Sequence, residues 1–316
     1  MRVRTVLPAL AVLGAMALAP AASAQTLRAA GLPEPFGPPG LAHAAFAPGG
    51  ARVAFTTPSY AGLFVTDADG SNLRRLSDEP AAGFGFAWSP DGTALVARVA
   101  RLSEAGRANA VKVFDAATGD ARALTDYRVR MPALPAWSRD GARVLLPAAG
   151  GAEAFASGRA PLAGKTGADA VLVAPAGEGL VLPDGGRLRV PGLPDGTVLR
   201  AVASPDGARV VVEVMGHGLF VMDAGGTNAL GLGRGSAPAW SPDGRFVAFT
   251  VSRDDGHAIT GSDLHVARAD GSERYPVTTT QTVLEANPAF TPDGRALLYD
   301  DLDAGRVMRL PLRVDE

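Results

Sequence analysis

One phrase recurs six times: AFAPGGARVAF from Ala45, AWSPDGTALVA from Ala87, AWSRDGARVLL from Ala136, VASPDGARVVV from Val202, AWSPDGRFVAF from Ala239 and AFTPDGRALLY from Ala289. These copies predict an all-β chain folded as a six-bladed β-propeller of four-stranded antiparallel blades. The turn glycines stand 42, 49, 66, 37 and 50 residues apart, within the range of propeller repeats. A second polar turn follows in most units, as in GLFVTDADGSNLRRLS from Gly62, VKVFDAATGDARALT from Val111, GLFVMDAGGTNALGL from Gly218 and DLHVARADGSERYPVT from Asp263.

Residues 1–24 read as a secretory leader. Arg2 and Arg4 form a basic start, Val6 to Ala19 is apolar, and Ala22-Ser23-Ala24 is a small-x-small cleavage site. The apolar run is too short to span a bilayer and is broken by Pro8 and Gly14. The mature chain is therefore expected to be exported, periplasmic or extracellular, and soluble, with no stable membrane insertion. Residues 25–40 follow as a closing strand and linker, and 41–316 as the propeller. Thr26 to Leu32 supplies the outer strand missing from the last repeat and is expected to pair with Arg306 to Leu312.

Each repeat encodes a hairpin. Proline presets φ, aspartate tolerates the next position, and glycine takes the left-handed conformation, which predicts a three-residue loop with a bulge. The strand after each turn is apolar or β-branched, as in Val53 to Phe55, Val210 to Val212 and Phe246 to Thr250, which fits burial on both faces between blades. Trp88, Trp137, Trp240, Phe46 and Phe290 share one register and are expected to pack between blades without holding a ligand. Residues 148–200 are irregular. Ala148 to Asp169 reads as an extended loop, with Ala170 to Leu182 and Arg187 to Val190 as the remaining strands of that blade. A seventh, degenerate blade built on VLPDGGRLRV, from Val181, is the alternative.

The repeats resemble those of the TolB-type β-propellers, in which W-S-P-D-G precedes an apolar strand and a strand ending in D-A-D-G follows. LFVTDADGS, LFVMDAGGT and LHVARADGS match that second element. The similarity runs from Leu41 to about Leu312 and implies the fold. The α/β domain that stands ahead of the propeller in TolB has no counterpart in Gln25 to Gly40.

The chain is 47% hydrophobic and 20% charged, with a formal net charge of −2, which is not the footprint of a nucleic-acid binder. With no cysteine, disulfides, thiolate zinc sites and cysteine catalysis are excluded. AGKTG at Ala163 to Gly167 lacks the spacing of a phosphate-binding loop. His43, His217, His257 and His265 show no metal-site spacing. Asp254-Asp255 and Asp300-Asp301-Asp303 are loop carboxylates of the kind calcium takes, but the preference of hairpin turns for Asp and Gly is the better explanation of them. No cofactor is expected. There is no GxSxG elbow.

Antiparallel order places the repeated turns on one face of the ring, and the second-to-third loops and blade connections on the other. That irregular face carries the candidate binding residues Tyr60, Arg101, Glu104, Tyr127, Arg128, Arg130, Arg253, Asp255, Glu285 and Asp301. The expectation is a non-catalytic binding module for a protein, peptide or cell-envelope glycan. The alternative is a metal-dependent lactonase, hydrolase or glycan lyase with its site at the channel mouth.

Overall fold

The computed structural model describes residues 26–131, 133–148, 151–164, 172–173, 179–182 and 186–315. The leader pattern and most of AGKTG lie outside the described residues. The described chain contains strands and turns, and no helix.

The strands form seven sheets rather than six, each the blade of a ring. Blade 1 holds Ala42–Phe46, Arg52–Thr56, Leu63–Asp67 and Arg74–Ser77, and blade 2 holds Ala87–Trp88, Ala94–Ser103, Gly106–Asp115 and Ala121–Ala123. Blade 3 is Ala136–Trp137, Arg143–Ala148 and Gly151–Ala156; blade 4 is Leu172–Val173, Leu180–Val181 and Arg187–Leu188. Blade 5 is Val198–Ala203, Arg209–Val214, Gly218–Asp223 and Leu230–Gly233. Blade 6 is Ser236–Trp240, Phe246–Asp254, Ile259–Arg268 and Arg274–Pro276. Blade 7 joins Glu285–Phe290, Ala296–Asp301 and Arg306–Asp315 to Thr26–Ala29.

The miscount lies in the irregular region. Gly151–Ala156, expected in a loop, pairs along its full length with Arg143–Ala148 and completes blade 3 as a three-stranded sheet. Leu180–Val181 then pairs with Arg187–Leu188, which makes the degenerate blade a real one. Strands of two residues leave little periodicity to read in sequence.

The ring closes through the N-terminal strand. Thr26 pairs with Asp315 and Ala29 with Leu312, and Glu34–Pro35 then pairs with Arg309 and Met308. The partner strand runs on to Asp315, so the closing register lies further toward the C-terminus than the expected Arg306 to Leu312.

Each seam between blades has its own apolar cluster. Alternate residues of one strand serve the seams on either side: Ala54 packs toward blade 2, and Val53 and Phe55 toward blade 7. The fourth blade is held the same way, by Leu172 and Val181 against Leu145 on one side and by Leu180 against Val198 and Val210 on the other. Trp88, Trp137 and Trp240 each donate the indole N–H to a first-strand carbonyl of the preceding blade, at 2.9 Å to Ala45, 3.0 Å to Ala87 and 2.9 Å to Val202.

The repeated turn is wider than a three-residue loop. In blade 2 it spans Ser89 to Thr93: Gly92 N–H donates to the Ser89 carbonyl at 2.8 Å, and Ser89 Oγ bonds Asp91 at 2.5 Å and accepts the Ala94 N–H at 2.9 Å. The serine hydroxyl thus does the work assigned to a bulge. Ser138, Ser204, Ser241 and Thr291 repeat the hydroxyl–aspartate bond.

Candidate functional site

First strands of neighbouring blades contact one another around the axis, so they line the channel. Two residues before the repeat's Ala-aromatic pair, four of them turn through a left-handed residue: His43 (φ 53°), Gly85 (φ 73°), Ala237 (φ 52°) and Asn287 (φ 52°). At three of these positions the strand pairing is bulged. The kink turns a main-chain N–H toward the preceding blade, where a carboxylate six residues beyond the turn glycine receives it. Ala237 N–H donates to Glu213 at 3.0 Å, and His43 N–H to Asp300 at 2.8 Å. In blade 2 the same second-strand position is Arg98, which donates to the Met131 and Ala133 carbonyls at 2.8 and 3.3 Å. A blade-to-blade latch therefore recurs at the mouth.

The latch of blades 7 and 1 is the most polar. Asp300 is buried, accepts the Asn287 amide at 2.9 Å and lies 3.5 Å from His43 Nδ1. Burial pushes its carboxyl up, against the opposing pull of His43. Burial holds the His43 imidazole low, Asp300 opposes that, and Arg200, on the first strand of blade 5, adds to it through its positive charge. Tyr60, itself left-handed at φ 60°, stacks on His43 with ring centroids 4.7 Å apart and meets Phe84 edge-on at 5.1 Å. Arg98 lies over the Phe84 ring, 5.7 Å from its centroid.

The wall of blade 2 and the connection after it hold five of the expected residues. The Arg101 guanidinium sits 4.2 Å over the Tyr127 ring, whose hydroxyl donates to Glu79 at 2.5 Å. Burial and the Glu79 bond push the Tyr127 phenol up. Lys112 completes the group at 2.8 Å from Glu79. Arg128 forks onto Glu153 of blade 3 at 2.7 and 2.8 Å. Glu104 is exposed at the hairpin tip, and Arg130 is exposed on the following connection.

Blades 6 and 7 hold the rest. Arg253 pairs with Asp263 and donates to the Thr280 carbonyl at 2.7 Å, tying the blade 6 hairpin to the connection behind it. Asp255 accepts the N–H groups of His257 and Ala258, and Asp301 those of Asp303 and Ala304, so both carboxylates shape their own loops. Glu285 is buried rather than exposed at the mouth: Thr278 Oγ1 donates to it, the Leu264 N–H approaches at 3.2 Å, and Asp301 is its cross-strand neighbour. Burial raises its carboxyl, and the charges of Asp263 and Asp301 raise it further.

The ten expected residues thus fall into separate groups, in which Tyr60, the Arg101–Tyr127 pair, Arg128, Arg253 and Glu285 are each bound to neighbours. His43, Asp300, Glu79, Phe84 and Asp263 were not anticipated. The Asp300-Asp301 doublet was visible in sequence, but its partner His43 is 257 residues away. Among the described residues no group of three or more His, Asp or Glu side chains is arranged to hold a metal ion. A cavity of about 560 Å³ opens on the opposite face, between the turns of blades 6 and 7. Its floor is Phe246, Phe290, Leu27 and Leu312, and its rim carries Asp243 and Asp293, both engaged by turn hydroxyls.

No protein-family model matches the chain, and no curated protein matches it. Among solved structures, the putative TolB from Agrobacterium tumefaciens aligns over 88% of this chain and 91% of its own length, at 16% identity and a TM-score of 0.51. The Cps50 (Swd1) β-propeller domain of Myceliophteria thermophila aligns over 90% and 99%, at 10% identity and a TM-score of 0.57. TolB from Acinetobacter baumannii aligns over 86% of this chain at 18% identity and a TM-score of 0.46, and the chain spans 63% of its length. TolB-type propellers are therefore among the structural neighbours, and the shared property is the fold.

Proposed function

We propose that this propeller is an exported, non-catalytic binding module whose irregular loop face takes a segment of a partner protein. Export rests on the leader pattern of residues 1–24. The binding reading rests on where exposed apolar side chains lie. Of the eleven large hydrophobic residues exposed among the described residues, six sit at the second-to-third hairpin ends or on blade connections: Phe84, Leu102, Val129, Met215, Ile259 and Leu302. The other five are spread over the rim, the repeated turns and the channel. Apolar tips interleaved with arginine, tyrosine and carboxylates have the composition of a protein interface rather than of an idle loop.

Photo-crosslinking tests this. A benzophenone side chain placed at Leu102, Val129, Met215 or Ile259 is expected to yield discrete protein adducts in the native envelope, and one at Leu73 or Leu230 is not. Adducts from both sets alike, or from neither, would overturn the reading. So would substrate turnover abolished by a single loop substitution, or a melting temperature raised by calcium or manganese together with such turnover.

A further inference from the structure

The hairpins of the loop face are unequal. From the turn glycine to the far end of the second strand, blades 1, 3, 5 and 7 run six or seven residues, whereas blade 2 runs from Gly92 to Ser103 and blade 6 from Gly244 to Asp254. The surplus of about four residues is worth roughly 13 Å of strand. It stands in solvent: Arg101 to Ser103 and Gly106–Arg107 are exposed in blade 2, as are Arg253 to Thr260 in blade 6. Blades 7 and 1 lie between them by the shorter way round the ring, and their loops are short.

Both projections are braced. Asn109 and Arg128 exchange main-chain hydrogen bonds of 2.8 Å, and the Ala100 N–H donates to the Pro80 carbonyl at 2.7 Å. In blade 6, Ser262 bridges Leu284 in parallel and Arg253 holds the Thr280 carbonyl. Held in this way, the hairpins stand as walls on either side of the low loops of blades 7 and 1. The walls differ in charge. Arg101 and Arg107 stand at the blade 2 tip against Glu104, and the flanking connections add Arg130 together with Asp78 and Asp126. On the other side Asp254, Asp255, Asp301 and Asp303 outnumber Arg253, which Asp263 already engages, and Arg306. Apolar side chains mark both tips, Leu102 and Ile259, and the ground between, Leu302 and Phe84.

We propose that the hairpins of blades 2 and 6 wall a trench over blades 7 and 1 that takes an extended protein segment with polarised charge, acidic toward blade 2, basic toward blades 6 and 7, and apolar between. This rests on the binding-module reading and specifies its occupant. Opposed charge fixes the direction of the bound segment, and the apolar centre supplies the contact area.

The probe is a phage-displayed library of random peptides about 12 residues long, roughly 40 Å when extended, selected on the full mature protein. Enriched sequences are expected to carry Asp or Glu toward one end and Lys or Arg toward the other. Their affinity should fall at least tenfold with R101E/R130E and with D254K/D255K. Combining both pairs should restore binding to a peptide of reversed polarity. Enriched peptides without charge polarity that are nevertheless lost on V129E or M215E would overturn the trench and leave the loop-face reading intact. Enrichment of nothing, or of peptides indifferent to every loop-face substitution, would overturn both.

Discussion

His43 and Asp300 meet across the seam between the first and last blades: the His43 main-chain N–H donates to Asp300 Oδ1 at 2.8 Å, and the imidazole lies 3.5 Å from the other carboxylate oxygen. Removing the carboxylate leaves the left-handed His43 with an orphaned N–H and strips the Asn287 amide of its acceptor. Asp300→Ala is expected to cost about 1–3 kcal/mol, read as a lower urea midpoint. Asp300→Asn, which keeps an acceptor, should cost less.

The equivalent kink in blade 6 falls on Ala237 at φ 52°, where blade 2 has Gly85. An L-residue pays for that conformation, and glycine pays a smaller entropic cost. Ala237→Gly should therefore stabilise the protein by about 0.5–1 kcal/mol, seen as a raised melting temperature, although glycine usually weakens a strand.

Glu285 gives a pH dependence with a definite sign. Its folded-state carboxyl titrates above the ordinary value of 4.5 because burial, then Asp263 and Asp301, disfavour its charge. Between pH 4.5 and its folded value this group holds more of its proton in the folded state than in the unfolded chain, so its contribution to stability declines as pH rises through that interval. Glu285→Gln mimics the protonated form. The variant should gain on the parent between pH 5 and pH 8, measured by denaturant unfolding at both; a gap that shrinks over that interval would contradict the assignment.

Trp137 is buried and its indole N–H reaches the Ala87 carbonyl at 3.0 Å. Trp137→Phe keeps an aromatic ring but abandons that carbonyl and part of the volume, with an expected loss of about 1–3 kcal/mol. Phe290 occupies the same register without an N–H to lose, so Phe290→Leu isolates the packing component by comparison.

Much of this ring was legible because its turns are chemical statements. Ser-Pro-Asp-Gly names a reversal, and the apolar run after it names a strand buried on both sides, so six blades and their polarity could be read directly. The fourth blade was legible only as an alternative because Leu180–Val181 and Arg187–Leu188 are two-residue strands and the VLPDGG segment has no aromatic. Loops could be assigned to a face, but contacts within that face could not. Tyr127 and Glu79 are 48 residues apart, and only the curvature of the ring brings them together. Glu285 was misjudged for a related reason, since a strand's first residue looks exposed until the neighbouring blade's Thr278 is placed beside it.

A ring sealed by its first strand can finish folding only after its last residues are made. Thr26 waits for Asp315 through the synthesis of nearly the whole chain, and until then blade 7 lacks its outer strand and the segment around Leu27 has no sheet to join. Sequence separation of this size slows folding and leaves unpaired edges open to other chains. That dependence is also an order of events: neither end can settle before the other has arrived.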